Sequence, residues 1–336
     1  MSEKSLRPEY QDLQPGVERV YVVPDIEKFS RHNPYLQLLY KDLLESPASG
    51  IRLSSTSLIS PGIIFKRILG EKSVFHHHWF ECRDVRTFLN SLWKIGILTI
   101  YKLLGGKIIW TVHNLRPHQQ KWRRINFYLR RIWAKLPHRI HVHCQSAINS
   151  VSELYGIAAD RFFVISHPPY PAKLLPQADA RRQLTERYPE VKPPPTASLF
   201  LMFGYIAKYK GILEVARIFK KCHPDKILLI AGSLKRQNQV YFNALKSLEG
   251  DTVIIIPKHI PESDVPLFFN AAEAVIFNYQ EILESGGAAL AQSYRKKIIV
   301  PNKGCPGELT GENIQKFDSL QELETLIQQL KSSHSD

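Results

Sequence analysis

The second half of the chain alternates short, unbroken apolar runs with helical patterns, and this alternation limits the fold more than any other feature. Ser198–Phe203 (SLFLMF), 226–231, 252–257, 273–278 and 297–301 are each long enough for a buried strand and too short for a helix. Helical patterns at 212–221, 237–249, 262–271 and 284–294 separate them. Runs that are apolar on both faces belong to a parallel sheet covered by helices on each side. The first half repeats the pattern less cleanly, with strands expected at Val20–Pro24, Ser73–His78, Lys107–Val112, Arg139–Cys144 and Arg161–Ile165. The expectation is two doubly wound α/β domains in series. The first covers 1–168 and the second 169–317, with a proline-flanked linker region at 169–197 that carries one polar helix. A C-terminal helix and tail occupy 318–336. Ligands of this architecture bind at the carboxyl ends of the strands, which here means a cleft between the domains.

Forty-five Lys plus Arg against 31 Asp plus Glu give a net charge of +14, which calls for an anionic partner. Nucleic acid, a lipid headgroup and a nucleotide diphosphate all qualify. The four cysteines form no CxxC pair, so the spacing points to neither a disulfide framework nor a zinc module. The first 20 residues are polar and lack the apolar core of a signal peptide, so a cytoplasmic location is expected. Residues 87–104 are apolar on nearly every face, but two lysines interrupt them and they fall short of the roughly 20 residues of a membrane span. A buried or interfacial helix is the expectation there.

The segment Ser198–Leu213 has the chemistry of a phosphate site. A buried strand ends at Gly204, a loop carries Lys208 and Lys210, and a helical pattern begins at Gly211. The helix N-terminus offers N–H groups and a positive dipole end, and each lysine adds a point charge. From these residues alone, a βα turn with solvated lysines is an equal alternative.

Taken in order, several pieces resemble a GT-B glycosyltransferase, similar to the family-4 enzymes of bacterial polysaccharide and glycolipid assembly. The pieces are Asn33-Pro34-Tyr35 with Leu38-Leu39-Tyr40, His76-His77-His78-Trp79, Trp110 to Leu115 with Pro117-His118, Phe203-Gly204 with Tyr209-Lys210-Gly211, and Ser285-Gly286 ahead of an Ala-rich helix. The resemblance implies two Rossmann-like domains and transfer of a sugar from a nucleotide-sugar donor to a hydroxyl of a glycan or lipid-linked glycan. It implies no cofactor and no metal, the nucleotide sugar being a substrate. Donor contacts are implied at Gly204, Lys208, Lys210, Gly232, Ser285 and Gly286, with Lys210 neutralising the diphosphate, and Glu281, in the loop 278–287 just past a strand end, is expected to touch the donor sugar. Acceptor contacts are implied at Asn33, His76, His78 and Trp79. The paired glutamates of the retaining members fall on Ile282 and Leu290, so neither is present. Glu281 and Glu284 are nearby but out of register, and Glu284 also suits a helix start.

His113 follows a strand, and because a histidine side chain ordinarily titrates near neutrality it suits a general base; a donor-sugar contact or a purely structural role also fits. His76 and His78 share one face of a strand and His77 takes the other. That spacing suits zinc, but the sequence offers no third ligand. Acceptor contact and core packing remain the alternatives.

The helix Lys121–Leu136 carries an apolar stripe, with Arg123, Arg124, Phe127, Arg130 and Arg131 expected on the outside. The stripe can pack on the domain, or the basic side can meet an anionic leaflet, which would make the protein peripheral at the inner face of the cell membrane. Other readings are a non-catalytic GT-B partner subunit, an epimerase, and a basic nucleic-acid-binding protein. No GxGxxG follows the first strand, and no recognised nucleic-acid module is present.

Overall fold

A computed structural model of the chain describes residues 5–45, 50–57, 59–82, 84–116, 122–221, 225–234, 239–280 and 282–330. It forms two compact units, Met1–Pro168 and Pro169–Asp336.

The first unit is built on six strands: β1 (Arg19–Val23), β2 (Arg52–Ser55), β3 (Ser73–His77), β4 (Lys107–Thr111), β5 (Arg139–Val142) and β6 (Phe162–Val164). Their order is β2-β1-β3-β4-β5-β6, with every pair parallel. The chain leaves β1 for β2 on one side and returns to β3 on the other, so the topological switch lies between β1 and β3. β3 is buried at every position, as an inner parallel strand should be. The register sets His77 beside Trp110 and Thr111 beside His141, which brings several polar side chains together at the carboxyl ends.

Pro34 is followed by two short helices, Tyr35–Leu39 and Lys41–Glu45, although the sequence YLQLLYKDLLES carries one continuous helical pattern. Tyr40 breaks them at φ −97°, ψ 8°, and its fully buried ring turns toward β3. A capping box of Asp84 and Thr87 starts the Val85–Leu103 helix. Ser91, Ile97, Leu98 and Tyr101 form its inner face, while much of the rest of this apolar helix faces water.

The second unit holds β7 (Ser198–Phe203), β8 (Lys226–Ala231), β9 (Val253–Ile256), β10 (Ala274–Ile276), β11 (Lys297–Pro301) and β12 (Ile314–Phe317). The parallel order is β12-β11-β10-β7-β8-β9, with the switch between β7 and β10. Side chains alternate strictly: Leu199 and Leu201 enter one core layer, Phe200 and Met202 the other.

The 169–197 stretch is packed into this unit. Arg181, on the helix Gln177–Arg187, pairs with the buried Glu273 carboxylate at 2.7 Å, and that carboxylate also accepts from the Leu199 amide. The C-terminal helix Leu320–Gln329 joins the same unit, burying Leu323 and Ile327. No described helix is long and apolar enough to cross a membrane.

Candidate functional site

In the second unit the loops after β7 and β10 meet at the switch point. β7 is followed directly by Gly204, whose φ of +93° turns the chain sharply. Lys208–Lys210 form one 3-10 turn, and Gly211 at φ +58° leads into the helix Ile212–Phe219. Lys210 Nζ donates to the Phe203 carbonyl at 3.0 Å, which holds its ammonium at the strand end. Lys208 is exposed on the same turn. Asn278 Nδ2 donates to the Gly211 carbonyl at 3.0 Å, and the Gln280 amide donates to the Tyr209 carbonyl at 2.9 Å, lacing the two loops together.

Gly232, at the end of β8, sits against this turn. A Cβ there would lie 2.1 Å from the Gly204 carbonyl oxygen, so the two main chains touch only because the residue is glycine. Ser285 caps the Ala-rich helix Gly286–Ser293: its Oγ accepts from the Ala288 amide at 3.0 Å and lies 2.9 Å from the Tyr279 hydroxyl. Gly286 opens that helix. Of the expected donor residues, Gly204, Lys208, Lys210 and Gly232 therefore gather around the switch point, and Ser285 and Gly286 stand at the N-terminus of the helix that follows β10. Glu281 lies outside the described residues.

A narrow crevice is lined by Phe203, Lys210, Asn278 and Tyr279, among others. A second, open depression of about 150 Å³ is lined by residues that include Asn302, Lys303 and Ser319, at the carboxyl ends of β11 and β12. Ile282 and Leu290, on which the resemblance sets the paired glutamates, are apolar residues packed against the core.

The first unit gathers histidines at the corresponding end of its sheet, and their protons follow from donor and acceptor chemistry. His141 Nε2 lies 3.0 Å from the Ile165 carbonyl, which can only accept, so Nε2 bears the proton. Burial pushes His141 well below its ordinary pKa, so the ring is neutral and Nδ1 accepts from the Thr111 hydroxyl at 2.9 Å. Thr111 in turn accepts from His76 Nε2 at 2.7 Å. Burial, and then the charge of His113, push His76 down to about 3, so its Nδ1 also accepts. Two hydroxyls face that single lone pair, Tyr10 at 2.6 Å and Tyr40 at 2.7 Å. Tyr40 also touches His78 Nε2 at 2.9 Å, and His78 Nδ1 lies 3.2 Å from His113 Nε2.

His113 is 6% exposed, and its ring stacks on Trp79 at 4.1 Å between centroids and 11° between planes. Trp79 is stacked in turn on Phe29, and the Tyr35 ring meets His113 edge-on. His143 joins the group through the Tyr35 hydroxyl at 2.9 Å and the Ile165 carbonyl.

This arrangement corrects two of the expected acceptor contacts. His76 and His78 are fully buried with both ring nitrogens engaged, so they are interior members of a chain that ends at His113. They are also unavailable as zinc ligands. Asn33 Oδ1 accepts from the Tyr35 amide and so fixes the turn before the next helix. His77 takes the other face of β3, as its position requires, against Trp133 at 4.7 Å. No local motif marks His141 and His143, although they repeat the two-residue spacing of His76 and His78.

The basic helix needs a further correction. Arg130 is 3% exposed; its Nε donates to the Phe80 carbonyl at 2.9 Å and its Nη1 to the Asn114 carbonyl at 2.8 Å. It faces inward with Asn126, Leu129 and Trp133, not toward a leaflet. Phe127 is half-buried, whereas Arg123, Arg124 and Arg131 remain exposed.

No family model matches the chain, and no curated protein sequence matches it. Among solved structures it is similar to HepE of Anabaena in complex with UDP, at 12% identity and TM-score 0.60, over 93% of this chain and 89% of that one. Sucrose-phosphate synthase of Thermosynechococcus elongatus is similar at 13% identity and TM-score 0.60, with the same coverage of 93% and 89%. A trehalose-phosphate synthase of Burkholderia xenovorans, in complex with glucose-6-phosphate, is similar at 11% identity and TM-score 0.53, over 91% and 90%. The fold is the GT-B fold of glycosyltransferases, with two Rossmann-like domains.

Proposed function

We propose that this chain is a glycosyltransferase that moves a sugar from a nucleoside-diphosphate donor to a hydroxyl of a glycan or lipid-linked glycan. The observation that carries the reading is the β7–β10 switch point, where Gly204, Gly232, Lys208 and Lys210 converge. Cations there would stabilise the negative charge that builds on the departing nucleoside diphosphate. Lys210 is already aimed by its bond to the Phe203 carbonyl, so little reordering is needed for it to meet a phosphate. UDP and UDP-glucose are bound by the structurally similar HepE, and this makes the uridine nucleotide the first donor to try.

In the first unit His113 is the group suited to take the acceptor proton or to hold the donor sugar. Its ring plane is fixed by Trp79 and one nitrogen by His78, which leaves little orientational freedom to lose. The two roles separate in a single variant. His113→Ala should depress turnover with donor affinity unchanged if the residue is the base. It should weaken UDP-sugar binding but not UDP binding if it contacts the sugar.

A non-catalytic GT-B subunit is the second reading, favoured by the apolar packing of Ile282 and Leu290. Calorimetry with UDP, GDP and ADP, followed by release of nucleotide from the matching sugar nucleotides, decides between them. Binding without turnover on any acceptor supports the subunit, and no nucleotide binding at all rejects both.

A further inference from the structure

The Val85–Leu103 helix shows water a second apolar face. Val85, Leu89, Trp93, Ile100 and Leu103 recur every three or four residues, or multiples of that, on the side opposite its buried stripe, and Leu103 is 81% exposed. At 19 residues the helix is about 28 Å long. The helix Gly62–Ile68 beside it adds Phe65 and Ile68, with Leu69 following at 72% exposed. Arg67 bonds the Leu104 and Gly105 carbonyls, and Lys102 bonds the Lys135 and Leu136 carbonyls. The helices 62–68, 85–103 and Arg123–Trp133 are therefore fastened side by side into one surface.

None of these three helices contains an aspartate or a glutamate. Lys66, Arg86, Arg123, Arg124 and Arg131 are exposed on them, around and beside the apolar stripe. We propose that this surface docks on the anionic headgroup layer of a lipid bilayer, with the apolar stripe of the 85–103 helix entering the interface. Charge decides among occupants: two copies of a face on which exposed cations outnumber the single capping carboxylate of Asp84 repel each other, whereas an anionic leaflet complements the cations and receives the leucines and tryptophan together. Trp93 suits the interfacial layer, since its Nε1 is satisfied by the Ile59 carbonyl at 3.2 Å while its ring stays half exposed. The inference deepens the transferase reading, because a lipid-linked acceptor would be reached from such a surface, but it does not depend on the donor site.

The test is flotation of the whole chain with vesicles of phosphatidylcholine, with and without phosphatidylglycerol, at low and high salt. The chain should float with the anionic vesicles and lose most of that partitioning in high salt or without phosphatidylglycerol. A Leu89→Gln, Leu103→Gln double variant changes only exposed side chains and should keep the parent melting temperature, yet partition more weakly by about tenfold or more. An Arg123→Gln, Arg124→Gln, Arg131→Gln variant should lose the salt-sensitive part. Absence of flotation overturns the proposal. So does undiminished flotation of the leucine double variant, or a dimer of the parent that the double variant dissolves. UDP calorimetry on the same samples keeps the two readings apart: flotation without nucleotide binding would leave the docking surface standing and remove the transferase.

Discussion

His78 Nδ1 stands 3.2 Å from His113 Nε2, and through that contact His113 inherits a proton order set at the far side of the sheet. From the Ile165 carbonyl to His76 the direction of every bond is fixed. At His76 one lone pair meets two tyrosine hydroxyls. If Tyr40 donates to His76, its oxygen accepts from His78, and His113 Nε2 carries the proton. If Tyr10 donates instead, Tyr40 serves His78 and the order beyond it reverses, so a neutral His113 is protonated on Nδ1.

Tyr10→Phe should therefore leave one order only, with Tyr40 donating to His76. Tyr40→Phe should cut the chain, leaving His78 Nε2 buried without its hydroxyl, at a cost of about 1–3 kcal/mol. Nitrogen-15 chemical shifts of the imidazoles report the order, and denaturant unfolding reports the cost. Equal destabilisation by the two variants would show that Tyr40 is not the branch point.

Acid should weaken the first unit. His76 is pushed down to about 3, and His77, His78 and His141 well below their ordinary value, in each case chiefly by burial. The unfolded chain then binds more protons than the folded one between pH 6.5 and about 3, and stability falls as pH falls through that interval. The slope is on the order of 1 kcal/mol per pH unit for each such histidine. All five tryptophans belong to this unit, so tryptophan fluorescence reads its unfolding alone. A denaturation midpoint that is level between pH 7.5 and pH 5 would contradict the burial of these rings.

Lys210→Ala should weaken nucleoside-diphosphate binding by about 1.5–3 kcal/mol, the value of a charged hydrogen bond, with the fold retained. Calorimetry with UDP measures it. Affinity equal to the parent's would remove the lysine from the phosphate site.

Gly232→Ala should be far more damaging than its size implies. The added methyl must displace the Gly204 carbonyl, 2.1 Å away, at a φ of +147° that side chains avoid. A loss of at least about 2 kcal/mol, together with loss of UDP binding, is expected from strain at this position. A thermal melt and a UDP titration of the variant check both parts.

The two sheets are readable in the sequence because inner parallel strands are apolar without interruption, as in SLFLMF and KILLIA. β2 escapes that reading: RLSS is a partly exposed edge strand with too little apolar surface to signal itself. Tyr40 escapes because its sequence continues a good helical pattern, and only the bonds to His76 and His78 explain why the helix breaks there. Arg130 reads as a surface residue on any helical wheel, since its partners are carbonyls of the distant residues Phe80 and Asn114. Around the switch point the lysines and glycines are legible as residue types. The contact between Gly232 and Gly204 depends on the register of β7 with β8, which no local pattern encodes.

The excess of positive charge around the exposed leucines also governs how the protein behaves when concentrated. Mutual repulsion between copies keeps one apolar stripe from finding another, and that repulsion reaches about 10 Å at 0.1 M salt and about 3 Å at 1 M. Added salt therefore removes the barrier to clumping while leaving the stripe as sticky as before. In a detergent-free solution this chain is a colloid protected by its charge, best kept dilute and at low ionic strength.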